Sequence, residues 1–107
     1  MSDLASRHCR NGADKLPAEQ VRRYLEELAD WELSQDERSI QSTFQFDNYY
    51  QTLSFVNAIA WMANREDHHP DLEVSYNRCV VHYSTHDAGG LTDNDFICAA
   101  KVIALLS

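Results

Sequence analysis

The sequence predicts an α+β domain in which a four-stranded antiparallel sheet carries three helices on one face. Apolar residues recur every three or four positions in three segments, and they alternate with polar residues in four short segments between these. The order along the chain is α-β-β-α-β-β-α. Because hairpins lie between the helices and no βαβ alternation occurs, we expect the strands to pair antiparallel. The 107 residues, 44% of them apolar, are enough for one core.

The first part of the chain predicts one helix and two strands. Residues 1–15 have no apolar period and are expected to form a flexible tail before a domain spanning residues 16–107. Pro17 suits the first turn of a helix, where its missing N–H is not needed. The helix then has one apolar stripe, made of Val21, Tyr24, Leu25 and Leu28. Two alternating segments follow, the first around Trp31 and Leu33 and the second over residues 40–46.

The second helix is long and apolar on more than one face. Asp47 is the expected N-cap, and the helix should run to about Asp67. Its main stripe is Tyr49, Leu53, Val56, Ala60 and Ala63, and a second stripe is Phe55, Ile59 and Met62. A helix with two apolar faces has more to bury than so small a domain covers, so we predict a homo-oligomer, either dimer or tetramer. The alternative is that both apolar faces of the helix are buried in the core of the single chain.

The last part of the chain predicts a hairpin and a third helix. Residues 72–76 and 79–85 read as strands joined by a two-residue turn at Asn77-Arg78. After Gly89-Gly90, Thr92 and Asp95 have the spacing of a capping box. The core stripe of the helix that follows is Phe96, Ala99, Ala100 and Ile103.

Composition argues against several classes of function. The net charge is −8, which disfavours nonspecific binding to nucleic acid, because that binding neutralises phosphates with Lys and Arg. The three cysteines are far apart and form no CxxC, so we expect reduced thiols rather than a disulfide framework. The N-terminus is polar, without the apolar stretch of a signal peptide, and no segment is long and apolar enough to span a membrane. We therefore expect a cytoplasmic protein.

Four of the five histidines lie within nineteen residues, at positions 68, 69, 82 and 86. Histidine exchanges a proton near neutral pH, so such a cluster suits general acid-base catalysis. Metal binding is less favoured, because His82 and His86 would be about 13 Å apart on one strand at a rise of about 3.3 Å per residue. Two ligands of one zinc ion lie much closer than that. A metal-dependent hydrolase or metal carrier nonetheless remains an alternative.

Each histidine also has an ordinary interpretation when taken alone. His8 lies in the predicted tail and is expected to be solvated. His82 fits a surface position on a strand, and His68 fits the last turn of a helix, where the helix dipole favours it. Spacing alone therefore leaves catalysis open.

The stretch EDHHPDLEVSYNRCVVHYSTHDAGGLTDNDF resembles the signature of the pterin-4a-carbinolamine dehydratase family. The matching elements are His-His-Pro at 68–70, the aromatic Tyr76, Ser-Thr-His at 84–86, a Gly-Leu pair, and an Asp opening the last helix. The resemblance extends from about Leu16 to Leu106, including a Trp after the first helix and the same order of elements.

The resemblance implies dehydration of 4a-hydroxytetrahydropterin (4a-hydroxytetrahydrobiopterin) to quinonoid dihydropterin and water. This reaction recycles the cofactor of aromatic amino-acid hydroxylases, and imidazoles can perform it without a metal or redox cofactor. By the same resemblance, His68, His69 and His86 line the pterin pocket as catalytic residues. Asp95 either orients one of them and helps to bind the substrate, or only caps the last helix.

Two positions depart from the pattern of animal members of that family. Asn64 stands where they carry Glu, and Asn94 stands where they carry Arg. Either change is expected to alter pterin affinity more than chemistry. The family also includes a dimerisation cofactor of a transcription factor, so a non-catalytic oligomeric interaction module is the alternative function.

We predict that His69 and His86 matter most for catalysis, His68 next, and His82 least. Pro70 forces His69 out of the helix, and His86 precedes a flexible turn, where an active-site rim is expected. Loss of a general acid or base typically costs about 10²- to 10⁴-fold in rate. His69→Ala and His86→Ala should each lose about that much turnover while their circular dichroism spectra stay unchanged. His82→Ala is the control and should stay within a few-fold of the parent; near-parent rates for both other variants would contradict the mechanism.

Overall fold

A computed structural model describes residues 3–107. The helices are α1 (Ala18–Glu27), α2 (Tyr49–Glu66) and α3 (Asp93–Ala104), and the strands are β1 (Glu32–Leu33), β2 (Ser39–Gln45), β3 (Asp71–Ser75) and β4 (Arg78–Ser84). Two short 3₁₀ turns cover Leu4–Ser6 and His86–Ala88. The strands form one antiparallel sheet in the order β1-β2-β4-β3. The predicted fold class is confirmed.

One face of the sheet packs against the helices, and register decides which residues lie on it. On β2 and β4 the facing pairs are Ile40 with Tyr83, Ser42 with Val81, and Phe44 with Cys79. All but the half-buried Phe44 are buried, and the apolar members pack in or against the single core cluster. The residues between them on each strand project to the opposite face, since side chains alternate along a strand. His82, paired with Gln41, lies on that outer face.

The apolar face of α2 that packs on the sheet is not the one predicted as its main stripe. Phe55, Ile59 and Met62, predicted as a second stripe for oligomer contact, are buried in the core of the single chain. Tyr49 and Ala60 of the predicted main stripe are exposed. The assignment of the two stripes was therefore wrong, and the stripe offered as the reason for an oligomer has its partners within the chain.

Aromatic contacts explain the orientation of α2. The Phe55 ring lies 4.9 Å from the Phe44 ring and 5.1 Å from the Phe46 ring, which is within the range of favourable aromatic packing. Both partners project from the end of β2. A periodic pattern on α2 cannot show which face will meet these rings, because the partners lie on another element. Oligomerisation stays a prediction.

The ends of the elements differ from the predicted ones by about one residue. Asn48, rather than Asp47, is the N-cap of α2, and its side chain accepts from the Gln51 N–H at 2.8 Å. The two residues that connect β3 and β4 are Tyr76 and Asn77, so Arg78 is already paired in β4. The predicted capping box of α3 is confirmed.

The described part of the N-terminal segment, residues 3–15, packs against the ends of α2 and α3. Leu4 is buried in the core cluster. The Cys9 N–H donates to Glu66 Oε1 at 2.8 Å, and Lys101 Nζ donates to the Ala5 carbonyl at 2.9 Å. The flexibility expected for residues 1–15 from the sequence stays a prediction, and Met1 and Ser2 lie outside the described residues. Individual side chains and backbone groups hold the segment, so it has no periodic pattern to reveal its packing.

Leu4→Ala should lower the free energy of unfolding by about 2–5 kcal/mol, because it removes a buried side chain and leaves a cavity. Chemical denaturation monitored by circular dichroism measures the change. The matched control is Leu106→Ala, at a leucine that is half exposed, which should change the free energy much less. Equal and small effects for the two variants would mean that the segment is not packed in solution.

Candidate active site

His68 follows the end of α2, where the chain leaves the helix. Asp67 adopts the left-handed conformation, with φ of 52°, and the His68 N–H still donates to the Ala63 carbonyl. The imidazole therefore turns back toward the sheet. It stacks on the ring of Tyr83 in β4 with 5.4 Å between ring centroids and 16° between planes. Its side chain is only 13% exposed.

Asp95, in the first turn of α3, contacts the edge of this imidazole at Nε2. Its carboxylate is fully buried, and Oδ1 lies 2.6 Å from His68 Nε2. Oδ2 accepts from the Thr85 hydroxyl at 2.7 Å and from the Thr92 N–H at 2.9 Å. Asp95 therefore caps the helix with one oxygen and contacts His68 with the other, while its part in substrate binding stays a prediction.

The contact with Asp95 sets the protonation of His68. Burial by itself lowers the pKa of His68, but the hydrogen bond and charge of Asp95, with smaller contributions from Cys98 and Asp67, outweigh it and raise the pKa above its usual value. Since the carboxylate accepts, Nε2 carries a hydrogen. Nδ1 is then the atom that can donate a proton from the imidazolium or accept one in the neutral form.

His68 lines a cavity of about 720 Å³ that is open to solvent. One wall is the N-terminal segment from Cys9 to Lys15, which we call the N-terminal wall. The opposite side is made by the end of α2 and by the turn after β4, including Thr85 and Asp87. The cavity falls within the range of about 300–1,000 Å³ typical of small-molecule sites.

The other histidines predicted for the site lie apart from His68. His86 is exposed in the 3₁₀ turn after β4 and lines a second cavity of about 540 Å³, together with His82. Thr85 borders both cavities, so the turn His86–Ala88 separates them. His69 is exposed and lines neither of the two cavities. The structure therefore joins His68 to Asp95 and does not gather the three histidines into one cavity.

His82 has a local partner on the outer face of the sheet. Its Nε2 contacts the carboxylate of Glu73 on the neighbouring strand β3. This is the surface strand position expected for it.

Several residues outside the predicted set of site residues also shape the site. Tyr83 supplies the stacking surface, and Thr85 bonds to Asp95. Asn94 is buried and clamps the backbone of Arg10, accepting from its N–H at 3.1 Å and donating to its carbonyl at 2.8 Å. Thr85 stands in the Ser-Thr-His element of the sequence, and Asn94 was noted as a departure. For the N-terminal wall the sequence held no signal.

Glu66 anchors the N-terminal wall from the α2 side. Its side chain is nearly buried, and Oε2 lies 2.9 Å from His8 Nδ1 and 3.7 Å from Lys101 Nζ. Burial by itself raises the pKa of Glu66. The hydrogen bond from the Cys9 N–H and the contacts with His8 and Lys101 outweigh that effect, so the pKa of Glu66 is below its usual value. The carboxylate is therefore charged where it receives the Cys9 N–H.

Within residues 3–107, no three His, Cys, Asp or Glu side chains are grouped closely enough to hold a metal ion. The absence of a metal requirement stays a prediction.

In the same part of the chain, none of the helices combines the length and apolar character that crossing a membrane requires.

The fold and the site define a small α+β protein with a carboxylate-anchored histidine in an open cavity. The family model for pterin 4 alpha carbinolamine dehydratase matches residues 14–105. The chain belongs to this family, as its sequence elements predicted.

Relatives cover nearly the whole chain. A protein of Legionella pneumophila, provisionally assigned as a pterin-4-alpha-carbinolamine dehydratase, is 54% identical over 98% of this chain and 96% of its own. A protein of Xanthomonas campestris with the same provisional assignment is 55% identical over 95% of this chain and 89% of its own.

Two solved structures share the fold. A transcriptional coactivator/pterin dehydratase from Brucella melitensis superposes with a TM-score of 0.84 at 28% identity, covering 88% of this chain and all of its own. A pterin dehydratase-like protein identified as a RuBisCO assembly factor in the alpha-carboxysome superposes with a TM-score of 0.63 at 22% identity. It covers 71% of this chain and 88% of its own, and at that identity the likeness concerns the fold alone.

Asp95→Asn should lower the pKa of His68, because burial would then act without the opposing carboxylate. Titration of the His68 ring signals by NMR measures this directly. Glu73→Gln is the control, since it removes the equivalent carboxylate from His82, and it should leave the pKa of His68 unchanged. An unshifted His68 in Asp95→Asn would show that the contact does not govern its protonation.

The same contact predicts how stability depends on pH. A raised folded-state pKa means that the folded state binds more protons, so the His68 contribution is fully present below the unfolded pKa of about 6.5. It should decline as the pH rises through the folded pKa. Chemical denaturation of the parent and of Asp95→Asn across this pH range measures the two free energies of unfolding. The difference between them should shrink as the pH rises, and a difference that stayed constant would contradict the prediction.

Proposed function

We propose that this protein dehydrates 4a-hydroxytetrahydropterin to quinonoid dihydropterin and water. The observation that carries the proposal is the buried pair of His68 and Asp95 beside a cavity of pterin-compatible size. Membership of the dehydratase family and the provisional assignments of close relatives support the same reaction. We take the substrate to be a pterin, and the resemblance to the family implies a functional link to an aromatic amino-acid hydroxylase.

The reaction needs one proton donor and one proton acceptor. The bond between C4a and the hydroxyl oxygen breaks as that oxygen takes a proton and leaves as water. The ring nitrogen beside C4a loses its proton, and its electron pair forms the double bond to C4a. No electrons are exchanged with a second molecule, so imidazoles of suitable protonation are sufficient.

We assign proton donation to His68. Its raised pKa keeps a larger fraction of the ring protonated near neutral pH than an ordinary histidine has, and Asp95 stabilises that charged form. Asp95 also fixes the ring so that Nδ1, rather than Nε2, carries the proton to be given. Water then forms next to a side chain that is already oriented.

We assign proton acceptance and contact with the pterin to His69 and His86. Both are exposed: His69 directly follows His68 in the chain, and His86 lies in the turn after β4 and lines the second cavity. This geometry requires that the pterin extend beyond the His68 cavity rather than sit wholly within it. The sequence analysis likewise predicts that these two histidines matter most for catalysis.

A non-catalytic interaction module is the second candidate, and an exposed aromatic surface favours it. Tyr50 is 80% exposed and Trp61 is 64% exposed on α2, and Tyr49 stacks on Tyr76 from the β3–β4 turn. The structural relative from Brucella melitensis is named as a transcriptional coactivator as well as a pterin dehydratase. A binding function that persisted after loss of His68, His69 and His86 would favour this candidate.

Turnover decides between the two. In rapid-mixing absorbance measurements, chelated and dialysed protein should speed the conversion of 4a-hydroxytetrahydropterin well above its spontaneous rate. His68→Ala should lose about 10²- to 10⁴-fold of that acceleration, the range expected for a general acid. His82→Ala is the matched control, since it removes a histidine with a carboxylate partner from the outer face. A parent protein that leaves the spontaneous rate unchanged, or one that needs added zinc, would overturn the proposal.

A further inference from the structure

Two of the three cysteines meet between the N-terminal wall and α3. Cys9 Sγ lies 3.4 Å from Cys98 Sγ, although 89 positions separate them in the sequence. Both thiols are free. Cys9 Sγ also lies 3.7 Å from the Asn94 carbonyl, and Cys98 Sγ lies 4.0 Å from the His68 carbonyl.

The backbone on both sides of Cys9 is held in place. The Cys9 N–H is bonded to Glu66, and the next residue, Arg10, is clamped at both its N–H and its carbonyl by Asn94. Cys98 lies on α3, three positions after Asp95, and is fully buried. The two sulfurs therefore face each other in a defined geometry rather than by chance approach of a mobile chain.

We propose that Cys9 and Cys98 are a modification site, which a hydroperoxide converts to an intramolecular disulfide and a thiol reverses. The observation behind it is the contact of the two sulfurs beside the His68 cavity, and the proposal does not depend on the dehydratase reaction. A disulfide has an S–S length of about 2.05 Å, so the sulfurs must approach by a little more than 1 Å. Rotation of the Cys9 side chain, which is only partly buried, can supply that movement.

The surroundings favour reaction at this pair. Cys9 lines the His68 cavity, which gives a water-sized oxidant a path to the contact. The hydrogen bond from Cys9 and the positive charge of His68 both lower the pKa of Cys98, whereas burial raises it. The lowering effects are larger, so the pKa of Cys98 is below its usual value. The thiolate is the reactive form of cysteine. The same hydrogen bond, together with burial, raises the pKa of Cys9, so Cys98 is the partner of the pair that ionises. Burial also raises the pKa of Cys79, the third cysteine.

The chemistry balances with a hydroperoxide as the oxidant. One sulfur of the pair attacks a peroxide oxygen, an S–O bond forms, the O–O bond breaks, and an alcohol or water leaves. The second sulfur attacks the resulting sulfenic acid, the S–S bond forms, the S–O bond breaks, and water leaves. In sum, two thiols lose two protons and two electrons, which the peroxide takes up. The bridge then ties the N-terminal wall covalently to α3.

Mass spectrometry of the parent protein tests the site. After brief exposure to hydrogen peroxide, the free thiols are alkylated in denaturant, because Cys79 and Cys98 are buried in the folded chain. The unreduced chain should then lose the mass of two hydrogens and carry one alkylated cysteine, Cys79. Chymotrypsin, which cuts after Tyr83 and Phe96, separates Cys79 from Cys98, so the linked peptides should contain Cys9 and Cys98. Dithiothreitol should restore three alkylatable thiols, and the oxidised form should melt at a higher temperature than the reduced form.

Three variants serve as controls. Cys79→Ser should form the bridge as the parent does, whereas Cys9→Ser and Cys98→Ser should not lose the two hydrogens. Should Cys98→Ser fail to fold, Cys9→Ser alone is sufficient, because Cys9 is the less buried partner. Cys9 and Cys98 that both remain alkylatable after peroxide, a Cys9 that is oxidised to sulfinic acid without a bridge, or a link between two chains would overturn the proposal.

Discussion

The buried carboxylate of Asp95 is the constraint on which the site depends. A charge removed from water costs several kcal/mol unless it is paired and hydrogen-bonded, and Asp95 receives both kinds of partner. His68 comes from the end of α2, Thr85 follows β4, and the Thr92 N–H opens α3. Satisfying one carboxylate therefore brings three elements to one point. The interactions that make the burial tolerable are the same ones that orient the imidazole.

The cavity beside this carboxylate is completed by a segment that lacks regular structure over most of its length. The N-terminal wall is attached through Glu66 on one side and through the side-chain amide of Asn94 on the other. At Asn94 the resemblance to the family implies an Arg in animal members, and here the Asn amide matches the donor and acceptor of a peptide group, which a guanidinium cannot do. The departure at this position thus has a structural use, since it fixes the wall of the cavity that His68 lines.

Prediction from the sequence succeeded where the signal is local and failed where a choice depends on a distant partner. The capping box of Thr92 and Asp95 was found because both residues act within one turn of a helix. The two apolar faces of α2 were both visible in the sequence, but only the rings of Phe44 and Phe46 decide that Phe55 faces inward. Likewise, the packing of Leu4 had no periodic signal, since a single anchoring side chain leaves no repeat.

By itself, the sequence determined the order of the elements, the antiparallel sheet and the cluster of histidines that marks the family, because periodicity and motif spacing are properties of neighbouring residues. Tertiary structure alone decided that His68 is the histidine joined to Asp95, that His86 lines a separate cavity, and that Cys9 meets Cys98. These facts depend on groups separated by 27 positions in one case and by 89 in another. Burial brings such groups together, and the spacing of residues along a chain does not encode which of them will meet.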